Sequence, residues 1–211
     1  MCKVILIRHG ETDWNRQEIF RGRMDMDLNK NGLLQGEAAA GSIKNNPIKA
    51  IYSSPLKRAM QTAEKTALLF KIPIHKREGF IDINYGNWEG LAKIEVEKKF
   101  PEDYKIWINE PHNITFPEGE NLSLVMKRSM KELEEIVNNH QGEEIAVVSH
   151  RVVIKVMLCY VLGIDNSNFW RIRQDTCAIN IFEKKEGKFI IHNLNDTCHL
   201  KELNISQLAD F

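Results

Sequence analysis

The chain is poor in several features that would otherwise assign it. It has four cysteines in 211 residues, Cys2, Cys159, Cys177 and Cys198, and none are paired in a CxxC spacing. That excludes a zinc ribbon or a dense disulfide framework and fits reduced, mostly structural thiols. Net charge is absent too, because 29 basic residues balance 29 acidic ones. A general nucleic-acid binder needs a basic surface to displace phosphate counterions, so none is expected, although a local basic pocket for a small anion is compatible with a neutral total. Long apolar runs are missing. The stretch Val152 to Ile164 is interrupted by Lys155 and is too short to span a bilayer. Val4 to Ile7, ahead of Arg8 and His9, is too short for a signal-peptide core. No repeat, low-complexity tract or linker is visible. The expectation is a cytoplasmic protein with no membrane or nucleic-acid partner, and one domain over residues 1–211.

What is present alternates between strand and helix. Val4 to Ile7, Ile48 to Tyr52 and Ile145 to Val148 are continuous apolar runs, as expected of strands buried on both faces. Leu33 to Lys44 is alanine-rich with Asn29 as a plausible cap, and Leu56 to Phe70 follows Pro55, which suits a first helical turn. In Leu122 to Asn139, Leu122, Val125, Met126, Ser129, Met130, Leu133, Ile136 and Val137 form one stripe of an amphipathic helix. Val152 to Leu162 is apolar nearly all round and predicts a buried helix. Cys177–Glu183 and Lys188–Leu194 flank a turn signal and predict a closing hairpin. The pattern predicts an α/β three-layer sandwich, a mainly parallel sheet with helices on both faces. A helical lid insertion is expected at about residues 79–120.

Ligands of open α/β sheets bind at the carboxyl ends of the strands. Three expected strands end in reactive groups: Arg8-His9-Gly10-Glu11-Thr12, Ser53-Ser54-Pro55 leading to Arg58, and Ser149-His150-Arg151. Two histidines and two arginines therefore converge on one edge. Arginine forks pair bidentately with phosphoryl oxygens, helix N-termini add backbone donors, and a histidine can be a covalent nucleophile.

These segments, with Trp14-Asn15, Tyr85-Gly86-Asn87-Trp88-Glu89-Gly90 and Gly119-Glu120, occur in an order that resembles the motifs of the histidine phosphatase superfamily, also called phosphoglycerate-mutase-like. The resemblance implies a phosphoric monoester hydrolase working through phosphohistidine on a small phosphorylated metabolite. It implies that His9 attacks phosphorus, that Arg8, Arg58 and a positively charged His150 neutralise the phosphoryl oxygens, and that Asp82 is the proton donor. Asn15 and Glu120 would orient the phosphate and the catalytic groups. No metal or cofactor is implied. Phe100-Pro101-Glu102-Asp103, Trp107, Glu110-Pro111-His112, Phe169-Trp170 and Asn195 to Leu200 further resemble the metal-independent phosphoserine phosphatases, which points to phosphoserine and leaves room for a homodimer.

Four positions depart from the family pattern. Asp82 stands where glutamate is usual, Arg21 before Gly22 where many relatives have glutamine, Arg151 where glycine is common, and Tyr85 where phosphoserine-type enzymes have histidine. Arg21, Gly22, Tyr85 and Arg151 join Asn15 and Glu120 as expected substrate-binding residues. The alternatives are a broad-specificity, α-ribazole or sugar phosphate phosphatase, a phosphoglycerate mutase, and a catalytically silent binding protein. Trp14, Trp88, Trp107 and Trp170 fit packing as well as stacking on substrate.

Overall fold

A computed structural model describes residues 1–203; the last eight positions of the expected 1–211 domain lie outside the described residues. Six strands form one sheet: β1 (Cys2–Arg8), β2 (Ile48–Ser53), β3 (Ile74–Lys76), β4 (Glu144–Ser149), β5 (Ile179–Lys185) and β6 (Lys188–Asp196). Their spatial order is β3-β2-β4-β1-β5-β6. The first four are parallel, and β5 and β6 run antiparallel. The turn between β5 and β6 places Glu186 and Gly187 both at positive φ, the geometry that matches the twist of a tight hairpin.

The apolar runs are explained by what lies on each face. From β1, Val4 and Leu6 pack with α6 (Leu122–Asn139) and α7 (Arg151–Leu162); Ile5 and Ile7 pack on the opposite side with α2 (Lys30–Ser42) and α3 (Lys57–Phe70). Successive strand residues point to opposite faces, and with helices on both, no polar face can survive. This is the expected three-layer α/β arrangement. In α7 every residue from Arg151 to Cys159 is buried, as its composition implied, and only the C-terminal turn, with Tyr160 and Leu162, reaches the surface.

Residues 79–120 carry two short helices, α4 (Lys93–Lys99) and α5 (Pro101–Asn109). Phe100-Pro101 separates them, since proline starts a helix readily but cannot continue one. Trp88 and Trp107 are fully buried, with ring centroids 4.9 and 5.3 Å from Phe116. Trp107 also meets Trp170 at 4.9 Å, and the Trp170 indole N–H donates to the Trp107 carbonyl. These three tryptophans are packing residues. Among the described residues no helix is long and apolar enough to cross a membrane.

Register places the chemistry. Arg8 pairs with Ser149 across β1–β4, and Ser53 with Val148 across β2–β4. His9, Ser54 and His150 therefore emerge side by side at the carboxyl edge. His9 N–H donates to the Ser149 carbonyl, and Ser54 N–H to that of Val148. The start of α2 closes on the loop between β1 and the one-turn helix α1 (Asp13–Arg16): a Cβ at Gly32 would stand 2.1 Å from the Glu11 carbonyl oxygen, and one at Gly10 would stand 2.5 Å from that of Gly32. Two glycines are required for that approach. Asn29 locks it, capping α2 by accepting from Gly32 N–H and donating to Glu11.

Candidate active site

His9 is buried against the end of β1 with its ring centroid 5.2 Å from that of His150. Its Nδ1 lies 2.7 Å from the Gly10 carbonyl oxygen. A carbonyl can only accept, so Nδ1 carries the proton and Nε2 presents a lone pair. Burial, followed by the charges of Arg58, His150, Arg8 and Arg21, holds the imidazole pKa well below its usual 6.5. The ring is therefore neutral and nucleophilic at neutral pH.

His150, the N-cap of α7, has Nε2 2.7 Å from Ser54 Oγ. Ser54 Oγ accepts from Leu56 N–H and still has its own proton to donate to Nε2, and the acceptor-only Asp82 carboxylate on the other side of the ring favours the proton on His150 Nδ1. That nitrogen is buried without a hydrogen-bond partner, 3.6 Å from Asp82 Oδ2. Burial first, then Arg58, Arg128, Arg21 and Arg8, hold His150 well below 6.5 as well. Burial and these four cations outweigh the nearby Asp82 carboxylate and favour the neutral ring. An anion among the arginines would raise its proton affinity.

Arg58, the second residue of α3, is fully buried. Its Nη2 donates to the Gly22 carbonyl (2.7 Å) and Asp82 Oδ2 (2.9 Å), and its Nη1 to the Met24 carbonyl (2.9 Å). The guanidinium thus holds the 22–24 loop and the acid, and its buried Nε has no protein acceptor. Arg8 Nη1 donates to the Gln174 carbonyl. Asp82 Oδ1 accepts from Ile83 N–H. Asn15 Oδ1 accepts from Thr12 N–H and Oγ1, which turns the amide so that Nδ2 is its free-facing donor end.

A cleft of about 260 Å³, open mouth included, is lined by Ile19, Phe20, Arg21, Gly22, Asp82, Tyr85, Arg151 and Val152. Gly22, at φ +50, fits because a Cβ would fall 2.0 Å from Glu89 Oε1. Four expected substrate residues, Arg21, Gly22, Tyr85 and Arg151, therefore meet in one place beside Asp82. Glu120 does not line it. Its carboxylate accepts from Arg128 Nε and Nη2 and from Asn84 N–H. Burial alone would raise this carboxyl, but the Arg128 and Asn84 hydrogen bonds and the Arg128 and Arg23 charges outweigh it and lower it. Arg128 also donates to the carbonyls of Gly79, Ile81 and Asp82, so Glu120 acts on the segment that carries Asp82.

Ser54, Gln174 and Arg128 hold the site together without having been singled out from the sequence. Arg128 lies on a polar position of an amphipathic helix and Gln174 in a loop, and neither has a local signal; Ser54 stood within a recognised motif. His199, half-buried, reaches the Cys177 carbonyl, a packing role. Among the described residues, no group of three His, Cys, Asp or Glu side chains could hold a metal ion.

Folding keeps two imidazoles neutral, which fixes a pH dependence. Unfolded, His9 and His150 take up protons near 6.5, whereas folded they do so only well below it. Between those limits the unfolded state binds more protons, so stability falls as pH falls below 6.5 and is fully present above it. The slope is at most about 1.4 kcal/mol per pH unit for each histidine. Urea unfolding at stepped pH is expected to show this loss, reduced by a His150→Gln substitution; an unchanged slope in that variant would contradict it.

Buried donors without protein acceptors (Arg21 Nε, Arg58 Nε, His150 Nδ1) surround a neutral nucleophile. Buried polar groups are ordinarily satisfied, and the ligand chemistry that satisfies this set is a small anion.

Comparison with known proteins agrees. The sequence profile of the histidine phosphatase superfamily (branch 1) matches residues 4–197. Phosphoserine phosphatase 1 of Hydrogenobacter thermophilus is 37% identical over 205 residues, covering 97% of each chain. Among solved structures, YhfR of Bacillus stearothermophilus superposes with a TM-score of 0.92 at 27% identity, over 95% of this chain and 100% of that one. A phosphoserine phosphatase mutant of Entamoeba histolytica in complex with phosphoserine gives a TM-score of 0.86 at 30% identity, with the same coverage.

Proposed function

The chain belongs to the histidine phosphatase superfamily, and we propose that it hydrolyses a small phosphate monoester, phosphoserine first among candidates, through a phosphohistidine at His9. The observation that carries this reading is the neutral, buried His9, its Nε2 lone pair left free by the Gly10 hydrogen bond and ringed by arginines. The phosphoserine assignment draws on the relatives named phosphoserine phosphatase.

In this mechanism His9 Nε2 forms a bond to phosphorus as the ester P–O bond breaks. Arg8, Arg58 and the Nδ1–H of His150 bind the phosphoryl oxygens, and positioned charge of this kind supplies most of phosphoryl-transfer catalysis. Asn15 Nδ2 adds a donor. Asp82 gives its proton to the leaving oxygen, then takes one from the water that attacks phosphohistidine, which returns His9 and releases inorganic phosphate. The proton that Asp82 gives to the leaving oxygen is replaced by the one it takes from the attacking water, so each turnover returns it to its starting form. The 79–120 segment covers this edge as a lid within one catalytic domain.

Asp82→Asn is expected to slow hydrolysis of phosphoserine, an alkyl ester with a poor leaving group, by about 10²- to 10³-fold. An activated aryl phosphate, whose leaving group needs no proton, should lose far less. Equal losses would remove Asp82 from the acid role.

The function itself is tested by phosphate release in excess EDTA, with phosphoserine, phosphothreonine, 3-phosphoglycerate, α-ribazole phosphate and sugar phosphates as substrates. One strong response to phosphoserine supports the assignment, and a broad weak response reduces it to a general phosphatase. Abolition by EDTA with rescue by magnesium would contradict the mechanism.

A further inference from the structure

The hydrogen bond that fixes the tautomer of His9 has a second bond behind it. The acceptor of His9 Nδ1–H is the Gly10 carbonyl, 2.7 Å away, and that carbonyl belongs to the Gly10–Glu11 peptide. The N–H of the same peptide donates to Gln35 Oε1 at 2.9 Å. Hydrogen bonds linked through one peptide polarise each other, so the two strengthen together. Gln35 lies on α2 and is 1% exposed. It sits three residues after Gly32, on the same face of the helix. Gly32 is where α2 meets the loop: a Cβ there would stand 2.8 Å from the Glu11 nitrogen. Without one, the helix comes close enough for Gln35 to reach the Glu11 N–H. The preceding peptide is held from another helix, since Gly10 N–H donates to Thr62 Oγ1 at 3.0 Å and Thr62 Oγ1 donates to the Arg58 carbonyl in α3.

We infer that Gln35 is a positioning residue for the nucleophile: through the Gly10–Glu11 peptide it holds the Gly10 carbonyl against His9 Nδ1 and so keeps the lone pair on Nε2. This rests on the phosphatase reading and adds to it a residue two hydrogen bonds removed from the His9 ring. Histidines of metal sites are oriented in the same way, by the group bonded to their second nitrogen. Here the orienting group is a backbone carbonyl that follows a glycine. Glycine restricts its backbone less than any other residue, so the plane of this peptide is set by its partners, Gln35 on one side and His9 on the other. If the peptide turned, Nδ1–H would lose its acceptor, the proton could move to Nε2, and the attacking lone pair would be gone.

The test reads the tautomer directly, in the full chain and without substrate, from long-range nitrogen–proton NMR correlations of the His9 ring at neutral pH. The wild type is expected to show the Nδ1–H form alone. Gln35→Met keeps the volume and removes the amide acceptor. It should mix in the Nε2–H form and slow the burst of phenolate release from an aryl phosphate by about 10-fold or more, with the affinity for inorganic phosphate unchanged. Gln35→Glu returns an oxygen acceptor and should recover the single tautomer and most of the burst rate. Thr62→Val loosens the same loop without touching this peptide and should leave the tautomer unmixed. A single Nδ1–H form in Gln35→Met, whatever its rate, overturns the positioning role, and so does equal mixing in Thr62→Val. If Gln35→Met does not fold, Gln35→Glu decides. A charged acceptor makes the stronger hydrogen bond, so the His9 Nδ1 proton should move downfield, and an unmoved resonance overturns the inference. No turnover by a wild type that shows the expected tautomer would overturn the phosphatase reading instead, so the two failures are distinguishable.

Discussion

His9→Ala is expected to lower phosphatase turnover by about 10⁴-fold or more, the scale seen when a covalent nucleophile is removed, while leaving the fold intact. The two halves of that expectation have separate causes. The side chain makes one polar contact, to the Gly10 carbonyl of its own loop, and the backbone N–H that ties it to β4 survives substitution. Losing an imidazole that resists protonation also relieves the arginine cluster of nothing, because the neutral ring carried no charge. Stability should therefore change little near neutral pH, and anion binding should persist. Kinetics with equilibrium binding of vanadate or phosphate separates the two. A variant that lost binding as completely as turnover would mean that His9 is part of the clamp instead of the nucleophile.

Arg58→Met should be the second most damaging change, and it should act on both activity and stability. Its guanidinium reaches two carbonyls of the 22–24 loop and the Asp82 carboxylate from one buried position. Methionine keeps the packing of the stem but leaves Asp82 as a buried charge with its hydrogen-bonded partner gone, a change that costs roughly 3–5 kcal/mol. Turnover is expected to fall about 10³-fold, as phosphoryl oxygens lose a fixed donor and the acid loses its tether. Arg58→Lys keeps the charge but not the fork, so it should recover stability in part and turnover hardly at all. Denaturant unfolding with steady-state kinetics on the same samples reads both. If Arg58→Met raised KM alone, the tethering role of the guanidinium would be wrong.

The sequence made β1, β2, β4 and α7 legible because their burial is symmetrical: a strand or helix covered on every side leaves a continuous apolar run. β3 left no such trace, since it has three residues, two of them exposed, and exists through its pairing with β2. The convergence of His9, Arg58 and His150 was legible from strand ends, as register between parallel strands does the rest. The state of His150 was not. Its charge depends on Arg58, Arg128, Arg21 and Arg8, four residues on four separate stretches of chain, and no spacing rule adds their fields. Likewise, Glu120 stood in a motif, but its partner Arg128 looked like any solvated helix residue.

The central claim is that His9 itself carries the phosphoryl group, and the most direct measurement is to catch it there. Enzyme mixed with excess phosphoserine or an aryl phosphate, quenched in alkali within one turnover to preserve phosphohistidine, is digested and mapped by mass spectrometry. The result expected is one phosphoryl group on the peptide that spans His9, absent from His9→Ala and more abundant in Asp82→Asn. Rapid turnover with no phosphopeptide at any quench time, or with the phosphoryl group on another residue, would contradict the account.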